Sequence, residues 1–131
     1  MKLHFLILVF LISFGMKAQK ANTSPIYQLR IYEIFEKNKK DFHDRFRDQA
    51  MVIMKKYNFK INSIWESKSE SKTEFVYLLE WPDEATMKAA WANFKADKEW
   101  IEIKKQTSAK FGDLLGNIED RTMIKTSYSP N

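Results

Sequence analysis

The sequence has 131 residues and a formal net charge of +5 at neutral pH, with no cysteine. That length suits one domain, and the missing thiols exclude disulfides, a lipidated cysteine and a thiolate zinc cluster. Basic residues are interspersed with acids, as in Lys37-Asn38-Lys39-Lys40-Asp41, which marks a solvated face; a nucleic-acid groove needs a denser basic stripe.

Met1-Lys2 precedes an apolar run from Leu3 to Phe14, followed by Gly15 and Lys17-Ala18-Gln19. A basic start, a short apolar core and small residues describe a secretory signal peptide over residues 1–18, cut after Ala18. The run is shorter than the ~20 residues of a membrane span; a retained anchor is the alternative. Cleavage removes Lys2 and Lys17 and no acid, so +5 falls to +3. The expected product is secreted or periplasmic, with no stable membrane insertion. Residues 19–25 read as a flexible lead. There Asn22-Thr23-Ser24 matches a glycosylation triplet, a common chance match, and Pro25 follows.

The domain is expected over 26–128. Ile26 to Phe35 alternates as a strand, with Tyr27, Leu29 and Ile31 on one face and Gln28, Arg30 and Tyr32 on the other. The first face is the one expected to meet the helices. Asn38 is a candidate cap for a helix from about Lys39 to Tyr57. Its apolar stripe is Phe42, Phe46, Gln49/Ala50, Ile53 and Tyr57. Arg45 falls among the charges assigned to its outer side. Asn58 is a left-handed stop.

Phe59 to Ser67 alternates through Phe59, Ile61, Ser63 and Trp65, and 67–72 is a polar turn. Thr73 to Trp81 is apolar on both faces, which marks a central strand covered on both sides. Asp83 and Asp97 are N-cap candidates for two helices. Met87, Ala90, Trp91 and Phe94 form the buried stripe of the first, and Trp100, Ile103, Thr107 and Phe111 that of the second. Gly112 and Gly116 bracket a turn. Leu115 to Tyr128 is the last extended stretch, long enough for a bulge.

Strand, helix, strand, strand, helix, strand is the ferredoxin-like βαββαβ order, an α+β fold with an antiparallel sheet. Its helices cover one sheet face. The open face is expected to carry Tyr32, Trp65 and half of the two-sided strand, and an apolar face of that kind invites a partner. A second copy, sheet to sheet about a twofold axis, is the simplest closure. The space between the sheets is then a natural small-molecule pocket.

Three motifs add a family resemblance. Tyr27-Gln28-Leu29-Arg30-Ile31-Tyr32 resembles the YELRxY opening strand of the NIPSNAP family. Glu80-Trp81-Pro82-Asp83-Glu84-Ala85 resembles its strand-to-helix junction. Ala96-Asp97-Lys98-Glu99-Trp100 resembles its ADPEW segment, with Lys98 replacing the proline. The similarity runs from Ile26 to about Ile124. It implies a dimeric α/β barrel, a superfamily that includes small oxygenases, haem degraders, isomerases and dehalogenases. NIPSNAP members mostly lack an assigned reaction, so the resemblance transfers no catalytic set and no cofactor. Eukaryotic members are linked to mitochondria and vesicles; the signal peptide points instead to a bacterial periplasm or exterior.

Candidate ligand-binding residues are Arg30, Tyr32, Trp65 and Glu80. Arg30 offers a planar donor fork for a carboxylate or other anion; a pair with Glu80 or Glu119 is the structural alternative. Tyr32 and Trp65 either line a cavity or pack a dimer interface. Glu80 is a candidate base if burial perturbs it; a pair with Arg30 or Arg121 is the plainer reading. His43 is the only histidine after the signal segment and a candidate for proton transfer, though an idle, partly exposed ring is the simpler expectation. Trp91 and Trp100 read as core. One histidine and no cysteine give no metal cluster, and the three glycines form no phosphate loop. Three functions remain: a homodimer binding a small, partly apolar ligand between its sheets; a cofactor-free monooxygenase or isomerase; or a structural dimerisation module.

Overall fold

The computed structural model describes residues 24–130. The signal segment, its cut after Ala18 and most of the 19–25 lead lie outside the described residues. The first strand, β1, spans Ile26–Ile34. After a 3-10 turn come α1 (Lys39–Arg45), a π-helical turn (Phe46–Ala50) and α2 (Met51–Lys56), which run on as one rod. Strands β2 (Lys60–Lys68) and β3 (Thr73–Trp81) follow, then helices α3 (Glu84–Ala96) and α4 (Lys98–Phe111), then β4 (Leu115–Ile124). The sheet order is β2-β3-β1-β4 with all pairs antiparallel. This is the expected ferredoxin-like arrangement.

Local chemistry sets most element ends as the sequence predicts. The Asp83 carboxylate accepts the Thr86 amide at 2.7 Å, and that of Asp97 accepts the Trp100 amide at 2.9 Å. Both satisfy donors that a helix start leaves unpaired. Asn58 stops α2 with φ of 60°, a conformation asparagine tolerates. Asn38 does not cap α1. Its amide donates instead to the Phe111 and Asp113 carbonyls, at 3.2 and 2.9 Å, and ties the end of α4 to the start of α1. β4 ends at Ile124, and the residues after it turn back through a bond from the Ser129 amide to the Thr126 carbonyl.

The faces of β1 are opposite to the expectation. Tyr32 and Ile34 are buried against the helix layer, and Gln28 with them, while Tyr27, Leu29 and Ile31 lie on the open side. The cause is internal pairing of the polar heads. One Gln28 amide oxygen accepts both the Trp81 and the Trp91 indole N–H, at 3.0 and 2.8 Å. Its NH2 donates to the Asp120 carboxylate at 2.9 Å. A polar group bonded in this way no longer argues for the wet side.

β2 departs from simple alternation for a different reason. Its register on β3 shifts between Ile61 and Ser63, so Asn62 is an extra residue and parity flips. Ile61 pairs with Leu79 on the helix side, while Trp65 pairs with Val76 on the open side. A second irregularity lies between Tyr32 and Ile34 where β1 meets β4. There Gly116 runs so close to Glu33 that a Cβ would stand 2.9 Å from its carboxylate oxygen.

The core sits between the sheet and the helices. Phe42, Phe46, Phe75 and Tyr77 form one aromatic group, and Phe59, Trp81, Trp91 and Phe94 a second. Among the described residues no helix is long and apolar enough to cross a membrane.

Candidate ligand-binding site

A cavity of about 340 Å³ opens between the helix layer and the sheet, within the size range of small-molecule sites. Its floor is Arg30 and Tyr32 of β1 with Ile118 of β4. The first rod contributes Phe42, Arg45, Phe46, Ala50 and Met54. α3 and α4 contribute Trp91, Phe94 and Lys95, then Trp100, Lys104 and Ser108.

The walls hold the polar floor in place. The Tyr32 and Tyr77 hydroxyls share a 2.6 Å hydrogen bond, and Arg30 Nη2 donates to the Tyr32 hydroxyl at 3.2 Å. Arg30 Nη1 pairs with Asp120 at 2.6 Å. Its guanidinium also lies over the Trp91 ring, 4.5 Å from the centroid, a favourable cation–π position. Arg30 Nε is buried without a partner. Burial disfavours charge on Arg30, but the neighbouring Tyr32 and Tyr77 oxygens outweigh it and hold the pKa above its ordinary value. Burial beside Tyr32 raises the Tyr77 phenol well above its usual value, so the Tyr77 hydroxyl stays protonated near neutrality.

Arg45 is a cavity residue that helical periodicity does not predict. The pattern of charges places it on the outside of its helix, yet it is only 9% exposed. The π turn that begins at the next residue widens the helix, so Arg45 and Phe46 both point inward. π turns are rare and recur at functional sites. The position three residues after Phe42, at the edge of the apolar stripe, was the available signal. Arg45 Nη1 donates to the Thr107 hydroxyl at 3.0 Å, and its guanidinium lies 5.6 Å from the Trp100 ring centroid. Burial lowers its pKa. Trp91 and Trp100, expected as core, are also cavity walls.

The four residues expected to share one pocket do not meet. Arg30 and Tyr32 face the helix-side cavity. Trp65 and Glu80 are on the other side of the sheet, where Trp65 is half exposed. The expected Arg30–Glu80 and Arg30–Glu119 pairs are absent: Arg30 takes Asp120, Glu80 takes Lys60 at 3.0 Å, and Glu119 takes Arg121 at 2.6 Å. Asn62 and Lys60 lower the Glu80 pKa, the wrong direction for a base poised near neutrality. His43 lies outside the cavity; its Nε2 is 3.1 Å from Glu66, and its ring rests edge-on against Phe75. Among the described residues no group of His, Asp or Glu is arranged to hold a metal ion.

With the geometry in place, comparison decides the family. The NIPSNAP family model matches residues 27–130. The chain belongs to the NIPSNAP family. Its fold is similar to that of a NIPSNAP-like domain protein from Burkholderia xenovorans, with a TM-score of 0.69, 18% identity, and coverage of 83% of this chain and 91% of that one. A NIPSNAP family protein from Agrobacterium tumefaciens is alike to the same degree, with a TM-score of 0.69 and 15% identity, over 81% of this chain and 97% of that one. More distantly, SnoaB, a cofactor-independent oxygenase from Streptomyces nogalater, matches with a TM-score of 0.53 and 11% identity, over 82% of this chain and 99% of that one. No curated protein matches the sequence. The NIPSNAP domain thus shares the ferredoxin-like α+β fold of these structures.

Proposed function

We propose that this NIPSNAP protein is an exported homodimer that binds a small, partly apolar molecule. The ligand site we assign is the chamber between sheet and helices, in place of the space between two sheets that the sequence suggested. The carrying observation is the cavity itself: about 340 Å³, walled by Phe42, Phe46, Trp91, Phe94 and Trp100 and floored by Arg30 and Tyr32. Aromatic walls with a few convergent polar groups are the usual make-up of a ligand pocket. The open sheet face, with Tyr27, Leu29, Ile31 and Val76 flanked by Trp65, is left for the second copy. Export rests on the signal-like N-terminus of the sequence.

Trp91 and Trp100 make the test direct, because a bound ligand changes their emission. Small molecules that co-purify with the protein are identified by mass spectrometry and titrated back while tryptophan fluorescence is followed. Ala50→Trp, which fills the cavity from the last residue of the π turn, is expected to weaken binding by about tenfold or more, since overpacking displaces the ligand. Unchanged affinity would place the ligand elsewhere. The likeness to SnoaB supports a second reading, a cofactor-free oxygenase. Oxygen uptake on adding the bound compound separates it from a binder.

A further inference from the structure

We infer that the ligand is an organic monocarboxylate with a flat apolar body, and that Arg45 is the residue that reads its charge. The inference rests on the cavity being the binding site and adds the chemistry of what enters it.

The two arginines of the cavity are not equivalent. Arg30 already has a counter-charge in Asp120 at 2.6 Å. Arg45 forms no ion pair among the described residues; its protein partners are the Thr107 hydroxyl and the Trp100 ring. Along its own helix Asp44 is engaged with Lys40 and Arg47, and Asp48 with Arg47; Asp41, one turn earlier, lines an outer groove beside Arg45 but forms no ion pair with it. A guanidinium has five donors in a rigid fork, and the bond to Thr107 is the one hydrogen bond Arg45 makes among the described residues, which leaves the other donors free for a ligand at this wall. A buried cation with neither counter-charge nor full hydrogen bonding is costly. A fold retains one readily when a ligand supplies the missing anion.

The rest of the lining agrees. Lys95 and Lys104 stand exposed at its edge without ion pairs among the described residues, and Asp113 is the one acid on the wall. That excess of positive charge focuses an anion into the opening. Carboxylate is favoured because its two oxygens match the free edge of the guanidinium. The flat body follows from the rings, which offer offset-stacked and edge contacts.

The probe pair is 1-naphthoate and its methyl ester, which share an apolar body and differ in charge at pH 7. Each is titrated into the purified protein by tryptophan fluorescence and by calorimetry. Naphthoate is expected to bind at least about tenfold more tightly than the ester, the usual worth of a charge-assisted hydrogen bond. Arg45→Gln is expected to erase that preference, bringing naphthoate affinity down to that of the ester in the same variant. Should the variant fail to fold, the wild-type protein still decides: naphthoate affinity must fall with added salt while ester affinity does not. Equal binding of acid and ester, or a preference that survives in Arg45→Gln, overturns the carboxylate inference and leaves the cavity reading standing. Failure of both compounds to bind overturns the two together.

Discussion

Arg45 occupies a position that an apolar side chain of similar length would fill at lower cost to the fold. Arg45→Met keeps the stem packed against Trp100 and removes an uncompensated buried charge. The expected outcome is a ligand-free protein more stable by about 1 kcal/mol in urea unfolding, because replacing buried charge with apolar atoms is commonly neutral or stabilising. A loss of stability of that size would mean that the Thr107 bond and the ring contact outweigh desolvation. This residue also shows where sequence reading stops. Its charge and neighbours Asp44 and Arg47 made an outward position the natural choice, and only the wider turn that starts at Phe46 brings it inside. Arg30 and Tyr32 both line the cavity, and that they share one face of their strand was legible from alternation. Their surroundings were not, because the pairing of Gln28 with two indoles reverses the face that polarity alone assigns.

At the scale of elements, Asp97 does two jobs at one helix start. Its carboxylate caps α4 through the Trp100 amide and accepts the Tyr57 hydroxyl at 2.6 Å. The Tyr57 and Trp100 bonds together hold its pKa below the ordinary carboxylate value. Asp97→Ala is expected to cost about 1–2 kcal/mol, the upper range for a lost cap, and Asp97→Asn to recover part of it. Equilibrium unfolding with circular dichroism measures both, and no loss would show that the cap is redundant. Since the folded pKa is depressed, this stabilisation is present above the unfolded value and fades as pH falls through the folded one. Caps such as this one were readable in the sequence because they depend on one residue and its immediate successors. Strand parity was not readable, because Asn62 inserts into β2 without any glycine to signal it.

For the whole molecule, the reversal of β1 leaves the proposed dimer in place and changes what it is made of. Leu29, Ile31, Val76 and Leu78 lie in the middle of the open face, with Glu33, Glu74, Glu80 and Arg121 around them. A lysine at Ile31 would stand in the centre of that patch between Val76 on β3 and Glu119 on β4, and Glu119 is already paired with Arg121. Ile31→Lys is expected to convert a dimer to a monomer in light scattering while the circular dichroism spectrum is kept. A wild-type protein that is already monomeric at high concentration would remove the basis for this closure. The order of elements was legible in the sequence because it follows from apolar period, and the family because three short motifs resemble its own. Which side of the sheet holds the chamber was not, because that choice is made by side chains far apart in the chain.

The π turn carries a historical implication. Such a turn holds one more residue than the α turn it replaces. Deleting any one position between Phe46 and Ala50 would restore regular pitch and swing the preceding segment by about 100° against Met51–Lys56. A single-codon event can therefore switch the guanidinium from chamber to solvent. The same swing would carry Phe42 out of the core, so the extra residue of this turn is built into both the fold and the chamber.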